Sequence, residues 1–95
     1  MSWKTRQAKE MRRLLALGRP ISALRDDTDE NGQPYTIAAT LRKVGSEYHF
    51  FMDLFYPIGT TGETIREEGR AFDDMEQALR YLEDTSGIPL YQFKV

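Results

Sequence analysis

The stretch YHFFMDLFY, residues 48–56, constrains the fold most strongly because seven of its nine residues are apolar or aromatic. Successive side chains of a β-strand point to opposite faces, so this strand would carry apolar groups on both sides of a sheet. A chain of 95 residues has material for one hydrophobic core and not for two. The more apolar set of side chains is assigned to that core: Tyr48, Phe50, Met52, Leu54 and Tyr56.

The opposite face of the same strand carries a mixed set, in which two aromatic residues flank an acid: His49, Phe51, Asp53 and Phe55. Such a set makes a poor core and a reasonable contact surface. Two alternatives remain for what covers this face. The N-terminal helix would bring Trp3, Met11 and Leu14 onto this face, or a second copy of the chain would lie on it.

Composition and length predict one soluble globular domain, residues 1–95, with 40% apolar and 29% charged residues. The absence of cysteine excludes disulfides, thiolate zinc sites and cysteine nucleophiles, and it agrees with a cytoplasmic location. No apolar run approaches the roughly 18 residues that a membrane span needs. A membrane-spanning segment is therefore not expected.

A basic amphipathic helix is predicted over residues 1–18, with Ser2 as its N-cap and Gly18 at its end. Residues 1–25 carry seven basic side chains against Glu10 alone, although the sequence pI is about 5.4. The polar face of this helix groups four basic residues: Arg6, Lys9, Arg12 and Arg13. Because clustered basic side chains bind phosphates, nucleic-acid binding through these four residues is the alternative function.

Antiparallel strands are predicted over residues 20–72, interrupted by an acidic loop at 26–34 and by a second loop at 57–62. The Asn-Gly pair of the acidic loop is typical of a hairpin turn. A second helix is predicted over 73–86, capped by Asp73 or Asp74, and a short last strand over 90–95. The fold class is α+β, with an antiparallel sheet of about four to five strands and the second helix packed on one face.

The acidic loop also matches the first half of a calcium-binding loop, with Asp27, Asp29 and Asn31 as the oxygen donors. The glutamate that completes such a loop would fall at Ala38, inside a predicted strand. An ordinary acidic hairpin loop is the competing interpretation of the same residues. No other metal site and no cofactor is expected.

No catalytic residue is predicted. His49 is the only histidine, and Asp53 lies four residues along the same strand, roughly 13 Å away. The serines fall at predicted caps, strand edges and turns, without a nucleophile motif. An enzyme is therefore not expected.

The expected function is that of a small non-catalytic binding protein that acts through protein–protein contacts. It would act as a homodimer, or as an accessory or inhibitor protein of bacterial or phage type. The predicted interaction surface combines the mixed strand face with Trp3 and with Glu83 and Asp84 of the second helix. These two acids are included because negative charge at a helix C-terminus is unfavourable unless a contact uses it.

Overall fold

The computed structural model describes residues 2–56 and 64–95. In chain order its elements are α1 (Trp3–Ala16), β1 (Ile21–Thr28), β2 (Pro34–Val44), β3 (Glu47–Phe55), β4 (Thr64–Phe72), α2 (Met75–Ser86) and a 3₁₀ turn (Leu90–Gln92). The four strands form one antiparallel sheet in the order β1-β2-β3-β4. The predicted α+β class is confirmed. The loop predicted at 57–62 lies outside the described residues.

Both ends of α1 are closed by local hydrogen bonds. The Ser2 side chain accepts a hydrogen bond from the Thr5 amide at 3.3 Å, which satisfies one of the unpaired donors of the first turn. At the other end Gly18 has a φ of 91°, and the Arg19 amide donates to the Leu14 carbonyl at 2.9 Å. Glycine adopts this left-handed conformation at little cost, so the helix ends where the sequence predicts.

The β1–β2 hairpin is longer than predicted. Strand pairing includes Asp26 opposite Thr36 and extends to Thr28 opposite Pro34. The predicted loop at 26–34 is therefore reduced to residues 29–33, because the polar residues before it still form backbone pairs. Proline is compatible with this pairing at the first position of a strand.

One hydrophobic core lies between one face of the sheet and both helices. Its central strand residues alternate along β2 and β3: Ile37, Ala39, Leu41, Phe50 and Met52. Its helical residues come from both helices: Met11, Leu15, Ala78, Leu79 and Leu82. Burial of each large apolar side chain stabilises the fold by about 1.5–3 kcal/mol. The assignment of Phe50 and Met52 to the core face agrees with these contacts.

Of the two covers considered for the mixed face of β3, the structure excludes α1. Met11 is 3% exposed within the same core as α2, whereas Phe51 on the opposite sheet face is 49% exposed. The Arg12 Nε atom lies 3.0 Å from Glu76 Oε1, so the two helices are neighbours on one side of the sheet. The apolar stripe of α1 closes the core beside α2 and cannot also reach the other face.

The strand predicted for residues 90–95 is wrong. These residues form the 3₁₀ turn, followed by a single antiparallel bridge between Lys94 and Ser22. Leu90 is 3% exposed and Phe93 is 0% exposed. A strand would point side chains three residues apart to opposite faces, whereas a 3₁₀ turn places both in the core.

Candidate interaction surface

The side chains of the sheet that point away from the helices form a surface that no described element covers. We call it the outer face. It is assembled by the strand register from four strands: Ser22, Leu24, Asp26 and Thr28 of β1; Pro34, Thr36, Ala38, Thr40, Arg42 and Val44 of β2; Glu47, His49, Phe51, Asp53 and Phe55 of β3; and Glu67, Gly69 and Ala71 of β4. All four predicted β3 residues belong to it.

The centre of the outer face is apolar and shallow. Phe51 lies between Thr40 of β2 and Gly69 of β4 in the strand register. Phe51 is 49% exposed, in keeping with the small neighbours on both sides. A depression of about 710 Å³ surrounds it, and a second of about 580 Å³ extends past Leu24 and Ala38 toward β1. Thr40 lines both depressions, which makes them one continuous surface.

Like charges lie directly opposite each other at one end of this surface, whereas the other end carries Arg42 and His49. Asp53 pairs with Glu67 at the first end, and Arg42 pairs with His49 at the second. Directly opposed like charges on one sheet face are destabilising. Glu47 lies beside His49 on the same face, so the outer face has a mixed end and an acidic end, separated by the apolar centre around Phe51.

Two polar atoms of the outer face are buried without a hydrogen-bond partner among the described residues: His49 Nε2 and Asp53 Oδ1. The nearest acid to His49 Nε2 is Glu47 Oε1 at 3.6 Å, which is beyond hydrogen-bonding length. A buried polar atom left unpaired costs about 1–3 kcal/mol. The histidine offers a ring nitrogen and the aspartate offers a carboxylate oxygen, so the two atoms are chemically complementary.

The other residues of the predicted interaction surface lie elsewhere. Trp3 is at the start of α1, where its ring meets Tyr91 edge-on with 5.5 Å between ring centroids. Glu83 accepts a hydrogen bond from the Leu90 amide at 2.9 Å, which explains its place near the C-terminus of α2. Asp84 lines a shallow groove of about 230 Å³ beside Tyr81 on the helical side.

The basic face of α1 is partly neutralised by the protein itself. Arg12 pairs with Glu76, and Arg13 pairs with Glu10 one turn earlier on the same helix. The hydrogen bond from Arg13 lowers the pKa of Glu10 and raises the pKa of Arg13. Arg6 and Lys9 are exposed on the same helix. Two of the four residues of the nucleic-acid alternative are therefore engaged in ion pairs.

The partial calcium motif forms a self-contained turn. Asp29 Oδ1 accepts hydrogen bonds from the amides of Asn31 and Gln33, each at 2.9 Å, and its Oδ2 accepts from the Tyr56 hydroxyl at 2.9 Å. These bonds lower the pKa of Asp29, and the same carboxylate raises the pKa of Tyr56. The Asp27 carboxylate instead accepts hydrogen bonds from the Arg25 guanidinium and from the Thr28 amide. Within residues 2–56 and 64–95, no three acidic or histidine side chains group as metal ligands.

Several residues of the outer face carry no signal of their own in the sequence. Gly69 and Ala71 lie in a charged stretch, and Arg42 is one basic residue among many. Their position beside the β3 residues follows from the β2–β3 and β3–β4 registers, which a single sequence does not specify. The alternation of β2 was the available signal, since it separates Thr40 and Arg42 from the core residues.

Comparison of the chain with protein-family models, curated proteins and solved structures gives no match. Neither helix of the described chain is long and apolar enough to cross a membrane.

Proposed function

We propose that this protein is a non-catalytic interaction domain that associates with a second copy of itself through the outer face. The observation that carries the proposal is Phe51, half-exposed at the centre of a surface whose His49 and Asp53 each have a buried polar atom with no partner among residues 2–56 and 64–95. A solvated sheet face normally carries polar side chains in alternation with the core residues. An aromatic residue among small neighbours is instead typical of the centre of an interface.

The size of the outer face is sufficient for a small dimer. Four strands spaced by about 4.8 Å, each about nine residues long with a rise of about 3.3 Å, cover roughly 600 Å². A standard protein–protein interface buries about 800 Å² on each partner. The expected homodimer therefore belongs to the small and reversible class.

A second copy of the chain is the partner in this proposal because an isologous contact brings the same apolar centre of both copies together. Among the described residues, the side chain of the single histidine has only Glu47 as a nearby acid and makes no hydrogen bond to a hydroxyl nucleophile. This supports a contact role for His49 rather than an acid–base role.

The test is the oligomeric state of the full chain. Sedimentation measurements from about 1 μM to about 1 mM are expected to show a monomer–dimer equilibrium. Phe51→Asp, which places a charge at the apolar centre, is expected to yield a monomer. Leu17→Asp is the matched control, because Leu17 is 67% exposed at the end of α1 and outside the outer face. A wild-type chain that stays monomeric throughout this range overturns the proposal.

Nucleic-acid binding through α1 is the alternative function, supported by the exposed Arg6 and Lys9. This alternative predicts binding that is strong at low salt and weak at high salt, because phosphate binding weakens steeply with salt. The proposed interaction domain should give no retardation of single- or double-stranded DNA or RNA at low salt. Retardation that disappears on changing Arg6 and Lys9 to Ala would favour the alternative.

A further inference from the structure

We infer that Asn31 is a site of spontaneous covalent modification, and that the folded turn between β1 and β2 controls its rate. In the reaction the Gly32 amide nitrogen loses its proton and attacks the side-chain carbon Cγ of Asn31. A five-membered succinimide ring forms and the side-chain nitrogen leaves as ammonia. Water then opens the ring at one of its two carbonyl carbons, which gives aspartate or isoaspartate. These steps need no reactant besides water and base.

The turn exposes the two residues that react. Asn31 and Gly32 are both exposed, so water and base reach the bond between them. Gly32 has no side chain to keep its nitrogen away from Asn31 Cγ, which makes an asparagine followed by glycine the most reactive pairing. Asn31 is also the single asparagine of the sequence. The reaction is therefore confined to one position.

The conformation of the turn keeps the reacting atoms apart. The Gly32 amide donates to the Asp29 carbonyl at 3.0 Å, so Glu30 and Asn31 are the two central residues of a β-turn. Neither has a positive φ, which makes the turn type I, with a ψ near 0° at Asn31. This ψ places the Gly32 nitrogen roughly 120° from Asn31 Cβ about the Cα–C bond. The succinimide ring requires these two atoms to eclipse each other.

Asp29 holds the turn in this unreactive conformation. Its Oδ1 atom accepts hydrogen bonds from the amides of Asn31 and Gln33, and its Oδ2 atom accepts one from the Tyr56 hydroxyl. Rotation of the Asn31 peptide toward ring closure breaks the hydrogen bond between Gly32 and Asp29, so the turn must open before the reaction. The Asp29 carboxylate also opposes the negative charge that forms on the Gly32 nitrogen.

Modification changes the hairpin in charge and in length. Residues 26–31 already carry four acids, Asp26, Asp27, Asp29 and Glu30, and either product adds a fifth. Isoaspartate also inserts one methylene group into the backbone, which moves the amides that Asp29 binds. Both changes oppose the closed turn, so modified molecules are expected to open there more readily. The inference stands apart from the proposed function, because residues 29–33 lie outside the outer face.

The experiment incubates the full chain at physiological temperature and mildly alkaline pH and follows its intact mass. Each modified molecule gains about 1 Da, and peptide mapping assigns the gain. Asp29→Ala is expected to gain mass about ten-fold faster than the wild type, because three hydrogen bonds that close the turn are lost. Asp27→Ala is the matched control. It removes a carboxylate from the same hairpin but no hydrogen bond within residues 29–33, so its rate should equal that of the wild type.

The wild type unfolded in guanidinium chloride provides a second comparison, which remains valid should Asp29→Ala fail to fold. It should react about ten-fold faster than the folded wild type, because the opened turn is then fully populated. Asn31→Gln, whose ring would have six members, should keep its mass under both conditions. An unfolded wild-type chain that gains no mass at Asn31 overturns the assignment of the site. Equal rates in the folded and unfolded chains, or in Asp29→Ala and Asp27→Ala, overturn control by the turn.

Discussion

Gly69 of β4 lies directly opposite Phe51 of β3, so this exposed aromatic side chain has no side chain directly beside it on that strand. A Cβ atom built on Gly69 would meet the Phe50 carbonyl oxygen at 3.9 Å, which is an ordinary van der Waals contact. No contact with the part of the chain that the structure describes therefore requires glycine at this position. The small residue instead keeps open the depression beside Phe51.

Gly69→Thr is expected to have opposite effects on folding and on association. It should raise the free energy of unfolding of the dilute monomer by about 0.5–1 kcal/mol, because glycine weakens strands and threonine favours them. It should also weaken the dimer several-fold, because the added side chain fills the depression. Urea denaturation and sedimentation measure the two effects. Gly45→Thr is the control and should destabilise the monomer, since Gly45 has a φ of 63°. A Gly69→Thr monomer that is less stable than the wild type would show that folding itself requires glycine at this position.

Ser86→Ala is expected to destabilise the protein by about 1–2 kcal/mol. The fully buried Ser86 hydroxyl donates to the Leu82 carbonyl and accepts from the Ile88 amide at 3.2 Å. Alanine would leave that amide buried without an acceptor. Ser46→Ala in the exposed β2–β3 turn is the matched control and should change the free energy of unfolding little. Equal losses for both variants would show that the buried hydroxyl contributes nothing specific.

Asp74→Ala is expected to destabilise the protein by about 1 kcal/mol, the usual cost of losing an N-cap side chain. Asp74 Oδ2 accepts a hydrogen bond from the Gln77 amide at 2.9 Å and so satisfies a first-turn donor of α2. Asp73→Ala removes the same charge from the preceding exposed residue and should have a much smaller effect. Thermal denaturation of the two variants compares them directly. A larger loss of stability for Asp73→Ala than for Asp74→Ala would contradict the assignment of Asp74 as the N-cap.

The stability of the monomer is expected to fall as the pH drops below about 4.5, in part through Glu68. The hydrogen bond from the Tyr81 hydroxyl, and then that from Arg66 at 2.7 Å, lower the pKa of Glu68 from 4.5. The contribution of this carboxylate is therefore present above the unfolded pKa and is lost as pH falls through the folded value.

Urea denaturation of dilute Glu68→Gln between neutral pH and about pH 3 should show a weaker pH dependence than the wild type. Glu30→Gln, which removes a carboxylate from the exposed β1–β2 turn, is the control. Equal slopes for the wild type and Glu68→Gln would contradict the assigned role of Glu68.

The register explains what sequence reasoning predicted well and what it missed at the candidate site. Alternation within β3 was enough to separate Phe50 from Phe51, because side-chain direction in a strand has a period of two residues. Arg42 and Gly69 could not be placed beside that strand, since pairing between strands depends on contacts distant in sequence. Glu83 was assigned to the surface because its acceptor role for the Leu90 amide appears only when the chain after α2 folds back.

The sequence by itself determined the elements whose signals are local. The cap at Ser2 and the left-handed glycine at Gly18 bound α1, and the alternation of β2 and β3 sorts core from surface. Only the tertiary structure decided which sheet face the helices share and how residues 90–95 end. The apolar stripe of a helix can pack on any apolar surface. Here it packs beside α2 on one sheet face, because a chain of this length can form only one core. That choice leaves Phe51 uncovered and makes the outer face the candidate site.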